Sequence, residues 1–211
     1  MRLYIKGDYT KEIPFDYIEL AKRMWFESYQ GEGISLSYSG FLQIRDRNDI
    51  AIHLKLNKQD YDERWLYIPI QEGIKYRFYS QIDEDLNLEF ENAYVTDFRE
   101  NGDCLCLAST HLELLTLDKR AFYIMAIEIA TIFNGQISED DKKTWITIEE
   151  FKEKHKDILS LTFEEANEMS LEEIQTIDAI DDPIWEELDR KREEYIRIHG
   201  EVELDDDEED E

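Results

Sequence analysis

Glu128 is the residue whose sequence surroundings most resemble those of a catalytic acid. It lies in an apolar run, 121–133, in which Thr131 is the only other clear interruption. A carboxyl group buried among apolar side chains has a raised pKa, which is the state that a general acid often uses. A position at a helix edge, or an ion pair with one Lys or Arg, explains the same residue without catalysis. No catalytic partner can be placed from the sequence, so Glu128 is a weak catalytic candidate.

Cys104 and Cys106, the two cysteines of the chain, are separated by one residue. Side chains two residues apart share one face of a strand, so the two sulfurs could form half of a soft-metal site. A tetrahedral site needs two further ligands. The chain has no other cysteine, and its four histidines are scattered. The sequence therefore predicts two ordinary half-buried thiols, with no metal and no cofactor.

No recognised catalytic or nucleotide-binding motif occurs in the chain. It contains no P-loop, dinucleotide fingerprint, nucleophile elbow or zinc-protease helix. Catalytic groups often come from distant positions, so this absence does not exclude an enzyme. It does favour a non-catalytic protein.

A dense set of acidic residues lies between positions 164 and 187, in a segment that reads as helical. The proposed binding residues are Glu164, Glu165, Glu168, Glu172, Glu173, Asp181, Asp182, Glu186 and Glu187. Such a set is usually a solvated helix face. It could also contact a basic protein, or imitate the phosphates of DNA if its carboxylates are held rigidly.

Negative charge dominates the composition. The chain has 52 acidic residues against 24 Lys and Arg, a formal net charge of −28. The last segment, 201–211, is almost entirely acidic and is predicted to be disordered. The field of such a chain repels nucleic acids and anionic membranes and attracts basic proteins. No secretory h-region or spanning apolar run is present, which predicts a cytoplasmic protein without a membrane partner.

Helix signals surround the apolar run. It should begin near Thr116 or Asp118 and end at Gly135, and its apolar character predicts a central helix covered on every side. An amphipathic helix is predicted from 15 to about 29. Capping boxes at Thr147, Thr162 and Ser170 predict short helices at about 148–156, 163–168 and 171–178. Asp182-Pro183 predicts a longer helix to about 199.

Strand signals fill the region from 33 to 110. Apolar and polar residues alternate at 34–38, 50–57, 74–79 and 86–91, and 65–70 is a further strand candidate. Asn101-Gly102 is the preferred two-residue hairpin turn, and it predicts that Phe98 faces Leu105. Short connections favour an antiparallel meander.

The predicted fold class is α+β. An antiparallel meander of about seven to nine strands packs on the central helix, and C-terminal helices cover the helix's other side. The predicted parts are a core domain at 1–160, a helical extension at 161–200 and the acidic tail at 201–211. The predicted function is a non-catalytic acidic module, inhibitor-like or immunity-like, that binds a basic protein. A DNA mimic and an enzyme with a site near Glu128 are the alternatives.

Overall fold

An antiparallel sheet and a layer of helices form the protein, which confirms the α+β class. The computed structural model describes residues 1–9, 17–25, 36–40, 51–68, 84–90, 104–110 and 113–176, with Glu194 and Arg197. Its strands are β1 (Arg2–Lys6), β2 (Leu36–Gly40), β3 (Ala51–Leu56), β4 (Asp85–Phe90), β5 (Leu105–Ser109) and β6 (Gln136–Ser138).

Six α-helices and one 3₁₀ helix accompany the sheet in this part of the chain. They are α1 (Tyr17–Trp25), α2 (Lys58–Tyr61), the 3₁₀ helix (Glu63–Tyr67), α3 (Thr116–Ile132), α4 (Ile148–Lys154), α5 (Lys156–Leu159) and α6 (Phe163–Thr176). Helix α3 contacts β1, β6, α1, α4, α5 and α6. The apolar run therefore forms the central helix that its composition predicts. None of the helices described here is long and apolar enough to cross a bilayer.

The C-terminus of α3 approaches β1 closely, and Gly135 permits this contact. The amide of Gly135 donates to the carbonyl of Ala130 at 2.7 Å. A Cβ atom on Gly135 would lie 2.4 Å from the carbonyl oxygen of Lys6. Only a residue without a side chain fits there, so the helix ends where the sequence predicts.

The predicted meander of seven to nine strands is wrong. The described residues form six strands in the order β2-β3-β4-β5-β1-β6. The first strand of the chain lies between β5 and β6, so only β2 to β5 follow the chain order. Strand β6 has three residues, too few for alternation to reveal it. Alternation marks which residues form strands, but it does not select the neighbour of an N-terminal strand.

The predicted hairpin register at Leu105 is also wrong. Leu105 pairs with Ile5 on one side and with Phe90 on the other. Both edges of β5 are therefore occupied at Leu105, by β1 and by β4. The Asn101-Gly102 turn, like the candidate strand at 74–79, lies outside the described residues.

The candidate strand at 65–70 is replaced by the 3₁₀ helix. The carboxylate of Asp62 accepts a hydrogen bond from the amide of Arg64 at 3.0 Å and caps this helix. Trp65 is 2% exposed because it packs inward from a helical turn. Apolar content alone suggested a strand at 65–70, and a local cap and one buried indole determine the helix instead.

Two of the three predicted capping boxes form as expected. Thr147 and Glu150 cap α4 reciprocally, and Thr162 and Glu165 exchange the same two bonds at the start of α6. The third is wrong, because α6 continues through Ser170 to Thr176. The predicted helices at 163–168 and 171–178 are one helix.

The hydrophobic core lies between one face of the sheet and the helices α1 and α3. Leu54, Leu86, Leu105 and Leu107 are fully buried from the sheet side. The chain divides into two compact units, Met1–Thr176 and Ile177–Glu211. In the second unit the described feature is an ion pair between Arg197 and Glu194 at 3.7 Å. The predicted division at 160 and 200, and the disordered tail, remain predictions.

Candidate functional site

Exposed apolar side chains are concentrated on the 3₁₀ helix and α6. Of the four large apolar side chains that are exposed in the described residues, Ile18 lies on α1. The other three are Leu66, 60% exposed, Tyr67, 75% exposed, and Met169, 41% exposed. Large exposed apolar side chains near polar ones are typical of surfaces that bind other molecules.

Exposed carboxylates lie on the same two elements and on the adjoining α2. We call the following residues the α6 patch: Asp60, Glu63, Leu66, Tyr67, Glu164, Glu165, Glu168, Met169 and Glu172. Within this patch, six side chains are acidic and three are apolar. It therefore combines apolar contact area with a strong negative charge.

Buried contacts hold the 3₁₀ helix against α6. The indole nitrogen of Trp65 donates to the side-chain oxygen of Asn167 at 2.9 Å. The amide nitrogen of Asn167 donates in turn to the carboxylate of Asp62 at 2.8 Å. Trp65 and Asn167 are each 2% exposed. These bonds join two segments that are about a hundred residues apart in sequence.

A buried ion pair holds α2 against the central helix. The ammonium group of Lys58 lies 2.9 Å from the carboxylate of Asp118, and both side chains are almost completely buried. The same ammonium group lies over the Trp65 ring, 5.6 Å from its centroid. Breaking an ion pair in the protein interior is costly because it leaves a buried charge without its partner. The pair therefore holds α2, which carries Asp60 of the patch, against the core.

Arg64 connects Asp62 to α6 across the patch. Its guanidinium group donates to both carboxylate oxygens of Asp62, with Nε at 2.9 and 3.0 Å. It also donates to both oxygens of Glu168, with one bond at 2.9 Å. Two-pronged pairing of this kind fixes orientation as well as distance. Arg64 therefore neutralises part of the charge at the centre of the patch.

These contacts change the acidities of the groups involved. Hydrogen bonds from Arg64 lower the pKa of Asp62 to about 2 and lower the pKa of Glu168. Bonds to Glu168 and Asp62 raise the pKa of Arg64. Burial, followed by the charge of Glu164, raises the pKa of Tyr61. Asp62 thus stays ionised well into the acid range, and Glu168 stays ionised to a lower pH than an ordinary glutamate.

Glu164, Glu168 and Glu172 form a stripe along α6. Residues four apart lie on the same face of a helix, and all three side chains are exposed. Glu164 accepts a long hydrogen bond of 3.5 Å from the hydroxyl of Tyr61. The stripe therefore faces solvent next to α2 and the 3₁₀ helix.

Glu165 and Glu173, also predicted as binding residues, make structural contacts, although the side chain of Glu165 stays exposed within the patch. Glu165 belongs to the capping box at the start of α6. The carboxylate of Glu173 accepts hydrogen bonds from the amide and the hydroxyl of Thr116, and the Ser170 hydroxyl accepts from the amide of Leu117 at 2.8 Å. Ser170 and Glu173 thus cap α3, whose own Leu115 offers no side-chain cap. The spacing of Ser170 and Glu173 is therefore a capping signal, but the helix that they cap is α3.

The remaining predicted binding residues cannot be placed on this surface. Asp181, Asp182, Glu186 and Glu187 lie outside the described residues. The binding role of the whole set remains a prediction.

Glu128 is not enclosed by apolar side chains in the way that the catalytic hypothesis assumes. Its side chain is 25% exposed, and its carboxylate pairs with the guanidinium group of Arg23 on α1. The structural alternative, an ion pair at a helix edge, is confirmed. Glu128 does line an open groove of about 680 Å³ between α1, α3, α4 and α5. The enzyme alternative remains a prediction.

The two cysteines lie directly before β5 and within it. Cys104 is buried and Cys106 is partly buried, and both are thiols. Among the described residues, no group of three or more His, Cys, Asp or Glu side chains is arranged to hold a metal ion. The predicted half-burial fits Cys106, whereas Cys104 is only 5% exposed.

Sequence reasoning missed the apolar half of the α6 patch. Leu66 and Tyr67 were assigned to a strand, in which one of the two would face inward. In the 3₁₀ helix, Trp65 alone is buried and the next two side chains point outward. Trp65 is buried because its indole binds Asn167, which is about a hundred residues away in the sequence. No local sequence pattern reveals such a distant partner.

Comparison of this chain with protein-family models, with curated proteins and with solved structures finds no match. Its function is therefore argued from its own residues.

Proposed function

We propose that this chain is a non-catalytic binding module that docks a basic protein through the α6 patch. The observation that carries the proposal is the coincidence of exposed Leu66, Tyr67 and Met169 with exposed carboxylates on adjoining elements. Apolar and aromatic side chains provide most of the binding energy at protein interfaces, and charges at the rim provide steering.

The internal contacts of the patch support binding without large rearrangement. Trp65, Asn167 and Asp62 form a continuous hydrogen-bonded chain beneath the exposed side chains. A surface that is already ordered loses less conformational entropy on association. The exposed aromatic ring of Tyr67 has few rotamers, which further limits this cost.

The charge of the patch favours a different protein over a second copy of this chain. In a two-fold symmetric dimer, one patch would meet the same patch. Six carboxylates on each side would then be brought together, and like charges oppose such contact. A partner with Lys or Arg around an apolar pocket matches both the charge and the exposed side chains.

An affinity capture experiment tests this proposal. The purified full chain is immobilised and exposed, at low salt, to extract of the cells that produce it, and the retained protein is then purified and titrated. We expect one basic protein whose affinity falls about tenfold or more in the combined variant Leu66→Ser and Tyr67→Ser. Added salt should lower its association rate.

Ile18→Ser is the matched control, because Ile18 is exposed but lies on α1, away from the patch. This variant should bind like the unmodified chain. Retention of no basic protein at low salt, or equal binding by the patch variant and the control, would contradict the proposed function.

A further inference from the structure

A groove lined by basic side chains lies on this strongly acidic protein. Its charged residues are Arg23, Arg120, Lys152, Lys156 and Glu128. Four cations thus face one carboxylate in a chain whose net charge is −28. The groove also has an apolar wall that includes Ile124 and Leu159.

Arg120 presents its charge from a buried and fixed position. It is 5% exposed, and it lines the groove. Its Nε donates to the carbonyl of Leu161 at 2.7 Å, and one terminal nitrogen donates to the carbonyl of Met24 at 3.0 Å. These two bonds orient the guanidinium group relative to α1 and to the segment before α6.

The helix that carries Lys152 is held firmly against α3. Phe151 is fully buried, and its ring packs edge-on against Tyr123 at 5.4 Å between centroids. His155 stacks on the same Tyr123 ring at 4.1 Å and lies 2.7 Å from the carboxylate of Glu139. The neighbouring Lys152 therefore extends into the groove from a rigid base.

The other charged side chains of the groove are held only weakly by ion pairs. Lys156 pairs with Glu153 at 2.6 Å, but both side chains are more than half exposed, and such pairs contribute little. Arg23 balances Glu128 at one side. Lys152 and Lys156 can therefore turn toward a bound anion at little cost in free energy.

We propose that this groove binds a small phosphate monoester with an apolar substituent. A guanidinium group and two ammonium groups suit the doubly charged phosphate, and the wall of Ile124, Ile127 and Leu159 suits the apolar part. The volume of about 680 Å³ lies in the range of small-molecule sites. This site is separate from the α6 patch and does not depend on the proposed function.

Calorimetric titration with phenyl phosphate tests the proposal on the full chain. We expect a dissociation constant on the order of 0.1 to 1 mM at low salt. Inorganic phosphate should bind more weakly because it lacks the apolar part, and added NaCl should weaken both. Lys152→Glu should weaken phenyl phosphate binding about tenfold or more.

Lys143→Glu is the matched control for Lys152→Glu. Both lysines are exposed, and the two changes alter net charge equally, but Lys143 does not line the groove. The control should bind phenyl phosphate as the unmodified chain does. Absence of binding at ligand concentrations about tenfold above the expected dissociation constant would overturn the proposal. Equal weakening of binding in both variants would also overturn it.

Discussion

At the scale of single residues, an acidic chain uses some of its acids to organise structure. Asp62 accepts from the side chains of Arg64 and Asn167. Asp118 pairs with buried Lys58, and Glu173 caps a distant helix. Composition shows that acids are abundant, but only these contacts separate structural carboxylates from those that stay exposed.

Breaking the Lys58–Asp118 pair from one side should be strongly destabilising. We expect Lys58→Met to lower the free energy of unfolding by about 3–5 kcal/mol, since it leaves a buried carboxylate without its cation. Combining it with Asp118→Leu should cost less than the sum of the single changes. Urea denaturation of the single and double variants measures this coupling.

Lys22→Met is the control for this cycle. It breaks an exposed pair between Lys22 and Glu19 at 2.6 Å, and such pairs contribute about 1 kcal/mol or less. A Lys58→Met variant that is no less stable than Lys22→Met would show that the buried pair does not hold α2 in place.

Asp62 should make stability depend on pH in the acid range. Its pKa falls from 3.8 to about 2 in the folded protein, so the folded state binds fewer protons than the unfolded chain between these values. Its contribution to stability is therefore present above about pH 4 and is lost as pH falls through about 2. Urea denaturation at several pH values should show a shallower loss over this window in Asp62→Asn than in the unmodified chain.

Asp140 provides an independent second case. Hydrogen bonds from Thr144, followed by one from Ser138, lower the pKa of Asp140 to about 2. Asp140→Asn should make the loss of stability over the same pH window shallower. Its effect should add to that of Asp62→Asn because the two sites share no hydrogen-bond partner among the described contacts.

Identical dependence of stability on pH in the unmodified chain and in Asp62→Asn would contradict the role of Asp62.

At the scale of elements, α6 has two functions. One side caps α3 and packs against it, with Ser170 and Ile174 fully buried. The other side presents Glu164, Glu168 and Glu172 to solvent. The helix therefore connects the proposed binding surface directly to the central element of the core.

Glu173→Ala should be more damaging than the neighbouring Glu172→Ala. The first removes two hydrogen bonds at the N-terminus of α3, which should cost about 1–2 kcal/mol. The second removes an exposed carboxylate and should change stability by less than about 0.5 kcal/mol. Thermal and urea unfolding of both variants distinguish them, and equal small effects would argue against capping by Glu173.

At the scale of the whole molecule, charge opposes the compact state. With a net charge of −28, the carboxylates repel one another more strongly when the chain is folded. Mutual repulsion of this kind is screened over about 10 Å at 0.1 M salt.

Moderate salt should therefore stabilise the protein. We expect the free energy of unfolding to rise as NaCl is increased from about 0.02 to 0.2 M. Over this range the screening length shortens toward the spacing of the surface charges, which weakens their repulsion. Urea denaturation at each salt concentration measures the effect. Sucrose of equal osmolality is the control for excluded-solute effects, and a fall in stability with salt would show that the ion pairs outweigh the repulsion.

The sequence by itself determined the features that depend on local pattern. The apolar run, with its stop at Gly135, specifies α3 because such a helix must be covered on all sides. The Thr147 box specifies the start of α4 because both partners lie within one turn. Alternation marks the strands at 51–56 and 85–90 for the same local reason.

Only the tertiary structure decided the features that depend on distant partners. The place of β1 between β5 and β6, the capping of α3 by Glu173 and the exposure of Tyr67 each involve residues far apart in the chain. A hydrogen-bonding group or an apolar side chain states what kind of partner it needs, but not where that partner lies. The candidate surface emerges only once α6 and the 3₁₀ helix have been brought together by packing.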